Sequence, residues 1–133
     1  MESLNISYGI LSQITPYFQS LEDVGDLPFS TRRRLIRLNE ELAKDLKILQ
    51  SEINNIIEEH CEKDENGDFI VLEGGGQKIK ETDVEIANKK LAELWSTEAE
   101  ISYQPFKIPE KYFEELRCDA QTIKFIEDNF LEE

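Results

Sequence analysis

The sequence predicts an α+β fold that is mainly α: a long central helix, a helical N-terminal segment, a small antiparallel β-hairpin or sheet, and C-terminal helices. Three observations lead there. Leu35, Leu38, Leu42, Leu46, Leu49, Ile53 and Ile56 recur at spacings of 3, 4, 4, 3, 4 and 3 residues, the period of a helical seam. Neither Gly nor Pro interrupts residues 30–66. Short β-branched and aromatic runs beside a glycine cluster then mark strands in the second half. With 133 residues, 39% of them hydrophobic, the chain holds enough apolar mass for one modest core, and a single domain over 1–133 is expected.

Residues 1–29 predict a short extended start and then a helix. Ile6, Ile10, Leu11, Ile14, Phe18 and Leu21 follow mixed spacings of three and four, and Pro16 inside them should kink or split the helix. Asp23-Val24-Gly25-Asp26-Leu27-Pro28 is a turn. Ser30 or Thr31 can cap the long helix expected over 30–63, because a short side-chain oxygen accepts from the free N–H groups of a first turn. About 32 residues of helix at ~1.5 Å each span roughly 48 Å.

After the turn at Asp64-Glu65-Asn66-Gly67-Asp68, Phe69-Ile70-Val71-Leu72 and Gln77-Lys78-Ile79-Lys80 read as a β-hairpin over 68–80, reversed at Gly74-Gly75-Gly76. Thr82 or Asp83 caps a helix over 82–98 with Val84, Ala87, Leu91, Leu94 and Trp95 inward. Ile101 to Ile108 alternates apolar and polar as a half-buried strand that could join the hairpin, with Pro105 suggesting an edge. Residues 109–133 read as helices, opened by Pro109 and capped again at Asp119, with Ile123, Ile126, Phe130 and Leu131 inward.

The formal net charge is −14, and it is unevenly spread. Residues 1–29 carry −4, residues 30–61 are balanced, and residues 62–133 carry −10. Such a field disfavours nucleic acid and anionic membrane as partners and favours basic ones. The basic stretch is Arg32, Arg33, Arg34 and Arg37. It could grip phosphates, but pairing with acidic groups of this or another chain is the preferred reading. Arginines open the long helix and Glu52, Glu58, Glu59 and Glu62 close it, opposite to what the helix dipole favours. An antiparallel second copy would set one charged end beside the other. The apolar seam and these three arginines, Arg32 to Arg34, are therefore the candidate interaction residues, and a homo-oligomer, an antiparallel coiled-coil dimer, is expected.

Chemistry-bearing motifs are weak. Glu62, Asp64, Asn66, Gly67 and Glu73 fall at positions one, three, five, six and twelve of a calcium loop. Glu at position one is longer than the usual Asp, and the triple glycine removes the exiting helix, so a hairpin turn is preferred over a calcium site. His60-Cys61 is the single His–Cys pair, and neighbours on a helix point about 100° apart, which suits neither a metal nor a nucleophilic pair. Gly74-Gly75-Gly76-Gln77-Lys78 lacks the ending of a phosphate loop. Carboxylate pairs such as Glu114-Glu115 and Glu127-Asp128 read as solvated faces. No catalytic residue, metal or cofactor is expected. Two cysteines cannot build a disulfide framework, no basic leader precedes an apolar run, and no apolar run approaches the ~20 residues of a membrane span. The expected setting is cytoplasmic.

Read in order, Leu4-Asn5-Ile6-Ser7-Tyr8-Gly9 and the hydrophobic helix behind it, Ser30-Thr31-Arg32-Arg33-Arg34-Leu35-Ile36-Arg37-Leu38, Asp64-Glu65-Asn66-Gly67-Asp68, and Leu91-Ala92-Glu93-Leu94-Trp95-Ser96-Thr97-Glu98-Ala99-Glu100-Ile101 together resemble a family of small tailed-phage proteins of unknown function, found in phages and prophages of Gram-positive bacteria. The resemblance spans roughly residues 4–108. It implies a phage structural or late-gene module, acting in the bacterial host cell or carried in the virion, with phage structural proteins as partners; it transfers no functional residue. The expected function is a non-enzymatic protein-interaction module acting through the long helix. The alternative is an acidic inhibitor that imitates a nucleic-acid backbone and occupies the basic groove of a host enzyme, with 110–133 as its contact face.

Overall fold

A computed structural model describes residues 1–132. It is α+β and mainly α, as the patterning predicts. Strand β1 (Glu2–Ser7) leads into helix α1 (Tyr8–Leu21), and α2 (Phe29–His60) is the long helix. A single 3-10 turn at Glu81–Asp83 opens α3 (Val84–Ser96), followed by strand β2 (Glu98–Tyr103), a 3-10 turn at Glu110–Phe113 and α4 (Ala120–Asn129).

The single domain expected over 1–133 is organised as two compact units, Met1–Leu46 with Glu98–Glu133, and Lys47–Thr97. The cause is a strand pairing between distant parts of the chain. β1 pairs antiparallel with β2, in register Leu4↔Ile101 and Ile6↔Ala99. This closes the two ends of the chain on each other and leaves 47–97 as a continuous insertion. The half-buried strand expected over 101–108 thus lies at 98–103 and joins the N-terminus, not the 68–80 segment. Leu4, Ile6, Ala99, Ile101 and Tyr103 form the buried face of this two-stranded sheet, an alternation that matches the period of two. Beyond Pro105, which cannot donate to a ladder, the described residues form an isolated parallel bridge, Ile108↔Leu131.

In the first unit, α1 runs through Pro16 without a break. The helix is not split at Pro16, which is exposed, so the carbonyl that loses its N–H partner can be satisfied by water. One turn back, the Leu11 carbonyl accepts from the Thr15 hydroxyl at 2.6 Å. Leu11, Ile14 and Phe18 are fully buried. Phe130, just past α4, sits at the centre of an aromatic group. Its ring lies 5.1 Å from Phe18 edge-on, 5.5 Å from Phe106, 5.9 Å from Phe125 and 6.0 Å from Tyr103, geometry that adds to area burial. Asp119 caps α4 as expected, accepting from the Thr122 backbone at 2.8 Å. Gln13 of α1 donates to the other Asp119 oxygen at 2.8 Å and accepts from the Thr122 hydroxyl at 3.0 Å. Those hydrogen bonds hold the Asp119 carboxyl below its ordinary range. Ile126 and Phe130 point inward, but Ile123 is exposed. The helices expected over 109–133 amount to the 3-10 turn and α4; residue 133 lies outside the described residues.

In the second unit, the two arms of the expected hairpin meet at Val71↔Gln77, and a third segment that follows α2 bridges both of them, at Cys61↔Ile79 and Lys63↔Phe69. Glu62 N–H donates to Lys78 O at 2.7 Å, Lys78 N–H to Ile70 O at 2.8 Å, and Ile70 N–H to Glu62 O at 3.0 Å. Each segment serves two partners, so no pair extends into a ladder. Gly67 and Gly75 take positive φ at the two reversals, where glycine has no steric penalty.

Replacing Phe130 with Ala should cost about 3–5 kcal/mol, the range for emptying a packed aromatic site. Phe29→Ala should stay within about 0.5 kcal/mol, because Phe29 is exposed. Urea midpoints followed by far-UV circular dichroism check both.

Candidate functional site

The seam of α2 is mostly interior to the chain itself. Leu35, Leu38 and Leu42 are buried in the first unit, and Leu49, on the second, is buried too. Leu46, Ile53 and Ile56 are half-buried. A 3.5-residue stripe therefore marks the core face of one helix here, and four of its seven members are closed to any partner. The stripe alone does not tell a core face from a pairing seam; both place apolar side chains on one side.

The arginines also differ from their expected role. Arg32 donates to the Val24 carbonyl, and Arg34 donates to the Pro105 carbonyl at 2.9 Å. Both hold loops of the first unit in place, while Arg33 and Arg37 are exposed. At the other end of α2, lysines of the second unit answer the glutamates. Glu58 pairs with Lys63, Glu59 with Lys90 at 3.2 Å, and Glu62 with Lys78 at 3.2 Å. Glu58, Glu59 and Glu62 are thus paired with lysines of their own unit, whereas Arg33 and Arg37 form no ion pair among the described residues.

His60 is the most connected polar group of the second unit. Its side chain is buried at the end of α2, with Nδ1 3.0 Å from Asp83 Oδ2 and Nε2 2.9 Å from Lys90 Nζ. The Lys90 ammonium can only donate, so Nε2 accepts and Nδ1–H donates to Asp83. Both ring nitrogens are committed to tying α2 to the start and middle of α3. The hydrogen bond from His60, and then that from Thr82, holds the Asp83 carboxyl below its ordinary range. Burial pushes the neighbouring Cys61 thiol up, which leaves it protonated and poorly nucleophilic. A cavity of about 180 Å³ adjoins the pair, walled by Ile53, Ile56, Ile79 and Leu91.

The calcium-loop residues form a turn. Asp64 Oδ1 accepts from the backbone of Asn66 at 2.9 Å and of Asp68 at 3.1 Å. After Glu73 the chain reverses, with Leu72 N–H donating to Gly76 O at 2.6 Å, where a calcium loop needs a helix. Among the described residues no three His, Cys, Asp or Glu side chains are grouped to hold a metal, and no helix is long and apolar enough to cross a membrane.

Sequence reasoning missed a set of open apolar side chains. In the second unit Ile48, Val71, Leu72, Val84, Ile86 and Trp95 are exposed, Val71 at 64%. Of the inward face expected for α3, only Ala87 is buried. The glycine-flanked tip carrying Val71 and Leu72 was the available signal, since two apolar residues at a reversal have no helix or ladder to cover them. No protein-family model, curated protein or solved structure matches the chain.

The Asp83 contact gives a pH signature. A carboxyl depressed by folding contributes stability above its unfolded value and loses it as pH falls through the folded value. Asp83→Asn should therefore lower the urea midpoint of the second unit more near neutral pH than at a pH below the ordinary carboxylate range. Fluorescence of Trp95, the one tryptophan, follows that unit. An equal gap at both pH values contradicts the assignment.

Proposed function

We propose that the chain is a non-enzymatic protein-interaction module and that the unit 47–97 carries its contact surface. One observation supports this most. Among the described residues only Leu49, Cys61 and Ala87 of the buried apolar set belong to 47–97, whereas six large apolar side chains of that unit stand exposed. A unit that buries so little of its own apolar surface gains by burying more against a partner. The half-open part of the α2 stripe, Leu46, Ile53 and Ile56, lies at this end of the helix, so a partner-pairing role for α2 applies to its C-terminal half. The resemblance of residues 4–108 to small tailed-phage proteins supplies the setting: the bacterial host cell, with a phage structural protein as the partner during virion assembly.

A second reading is the acidic inhibitor. Glu110, Glu114, Glu115, Glu127 and Asp128 are exposed, and none pairs with a cation among the described residues. Such carboxylates can face a basic groove.

Affinity capture with the full chain, in cells producing the phage proteins, distinguishes the two. The assembly reading predicts recovery of a capsid or tail protein, reduced at least tenfold by the pair Val71→Ser and Leu72→Ser and unchanged by Glu114→Gln with Glu127→Gln. Recovery of a nuclease that follows the opposite pattern selects the inhibitor.

A further inference from the structure

The first unit carries two surfaces that its own core leaves unsatisfied, and they match. One is a cleft of about 210 Å³ running from the 3-10 turn at 110–113 to α4. Its apolar walls include Phe113, Leu116 and Ile123, and the exposed carboxylates of Glu110, Glu114 and Glu127 line it as well. None of these three glutamates is paired with a cation among the described residues. Lys111, beside them, is engaged with Asp26 at 3.3 Å. An apolar cavity of ~150 Å³ is known to hold a benzene ring, so this cleft has room for one phenyl side chain, and it is smaller than the ~300 Å³ where drug-sized ligand sites begin.

The other surface is the first turns of α2. Phe29 is 78% exposed. Arg33, Ile36 and Arg37 are exposed as well, and offsets of four, seven and eight place them on the same side of the helix as Phe29. Neither Arg33 nor Arg37 forms an ion pair among the described residues. An aromatic ring flanked by two free cations therefore stands on one side of the molecule's chemistry, and an acid-lined apolar cleft of ring size on the other.

We propose that Phe29 of one copy seats in the 110–131 cleft of a second copy, with Arg33 and Arg37 against Glu110, Glu114 and Glu127. The contact joins two different surfaces, so it is head-to-tail, and repeated contacts build chains or close a ring. It uses the unit other than the one assigned to partner binding and stands independently of that reading. A single ring with exposed charges makes a small interface, which places the affinity in the weak, transient class, with Kd about 100 µM, falling further at high salt as the charges are screened.

Sedimentation velocity of the full chain at low salt, from about 20 µM to 1 mM, tests it. The wild type should gain mass with concentration. Phe29→Ser, which loses the ring, and Ile123→Lys, which spoils the cleft, should each remain monomeric. Mixed together they should form a two-chain species and nothing larger, because one intact ring meets one intact cleft. Should Ile123→Lys perturb folding by circular dichroism, the exposed pair Glu110→Lys with Glu114→Lys takes its place. A wild type that stays monomeric throughout, a Phe29→Ser variant that associates like wild type, or a mixture without the two-chain species overturns the proposal.

Discussion

The structure rests on the closure of β1 against β2. Leu4 and Ile6 have no neighbours in sequence with which to build a sheet, and they find Ile101 and Ala99 almost the whole chain away. That pairing brings α1, the first half of α2 and α4 into one unit, where Phe18, Leu35, Leu42, Ile108 and Phe130 are fully buried. Hydrophobic burial of this density is the dominant favourable term in folding. Everything outside the closure, residues 47–97, is left with short segments that bury few of its large apolar side chains.

This asymmetry explains why the apolar stripe of α2 has two fates. Where the stripe passes the closed unit, its leucines are covered by the chain's own residues. Past Leu46 the available covers are a thirteen-residue helix and the three-cornered segment 61–80, and Ile53 and Ile56 end half-buried. Polar contacts hold this end together instead. His60 bridges Asp83 and Lys90, and Glu58, Glu59 and Glu62 each have a lysine. Exposed ion pairs of this kind each contribute little, so they order the second unit without replacing an apolar core.

Helical elements were legible because their signals are local. The long helix is predicted over 30–63 and found at 29–60, and the Asp119 cap follows from one residue and its neighbours. The pairing of β1 with β2 was not legible. The partner of Ile101 is set by which distant strand shares its buried face, and the nearest candidate, the 68–80 segment, was the wrong one. The role of Arg32 and Arg34 was hidden for the same reason: Val24 and Pro105 carbonyls come within reach only after folding. In the candidate site, the stripe on α2 was visible, but which half stays open depends on the closure of β1 on β2. The exposure of Phe29 and Trp95 could not be read from apolar residue type, which by itself predicts burial.

Amide hydrogen exchange on the free chain tests the central claim most directly, since protection tracks local burial. If the closed unit holds the stability and 47–97 awaits a partner, amides of α1 and of residues 35–46 exchange only on global unfolding. Those of α3 and of 61–80 then exchange by opening at least 100-fold more often, a gap of about 2.7 kcal/mol. Protection in α3 equal to that in α1 would contradict the account, because the second unit would then be complete on its own.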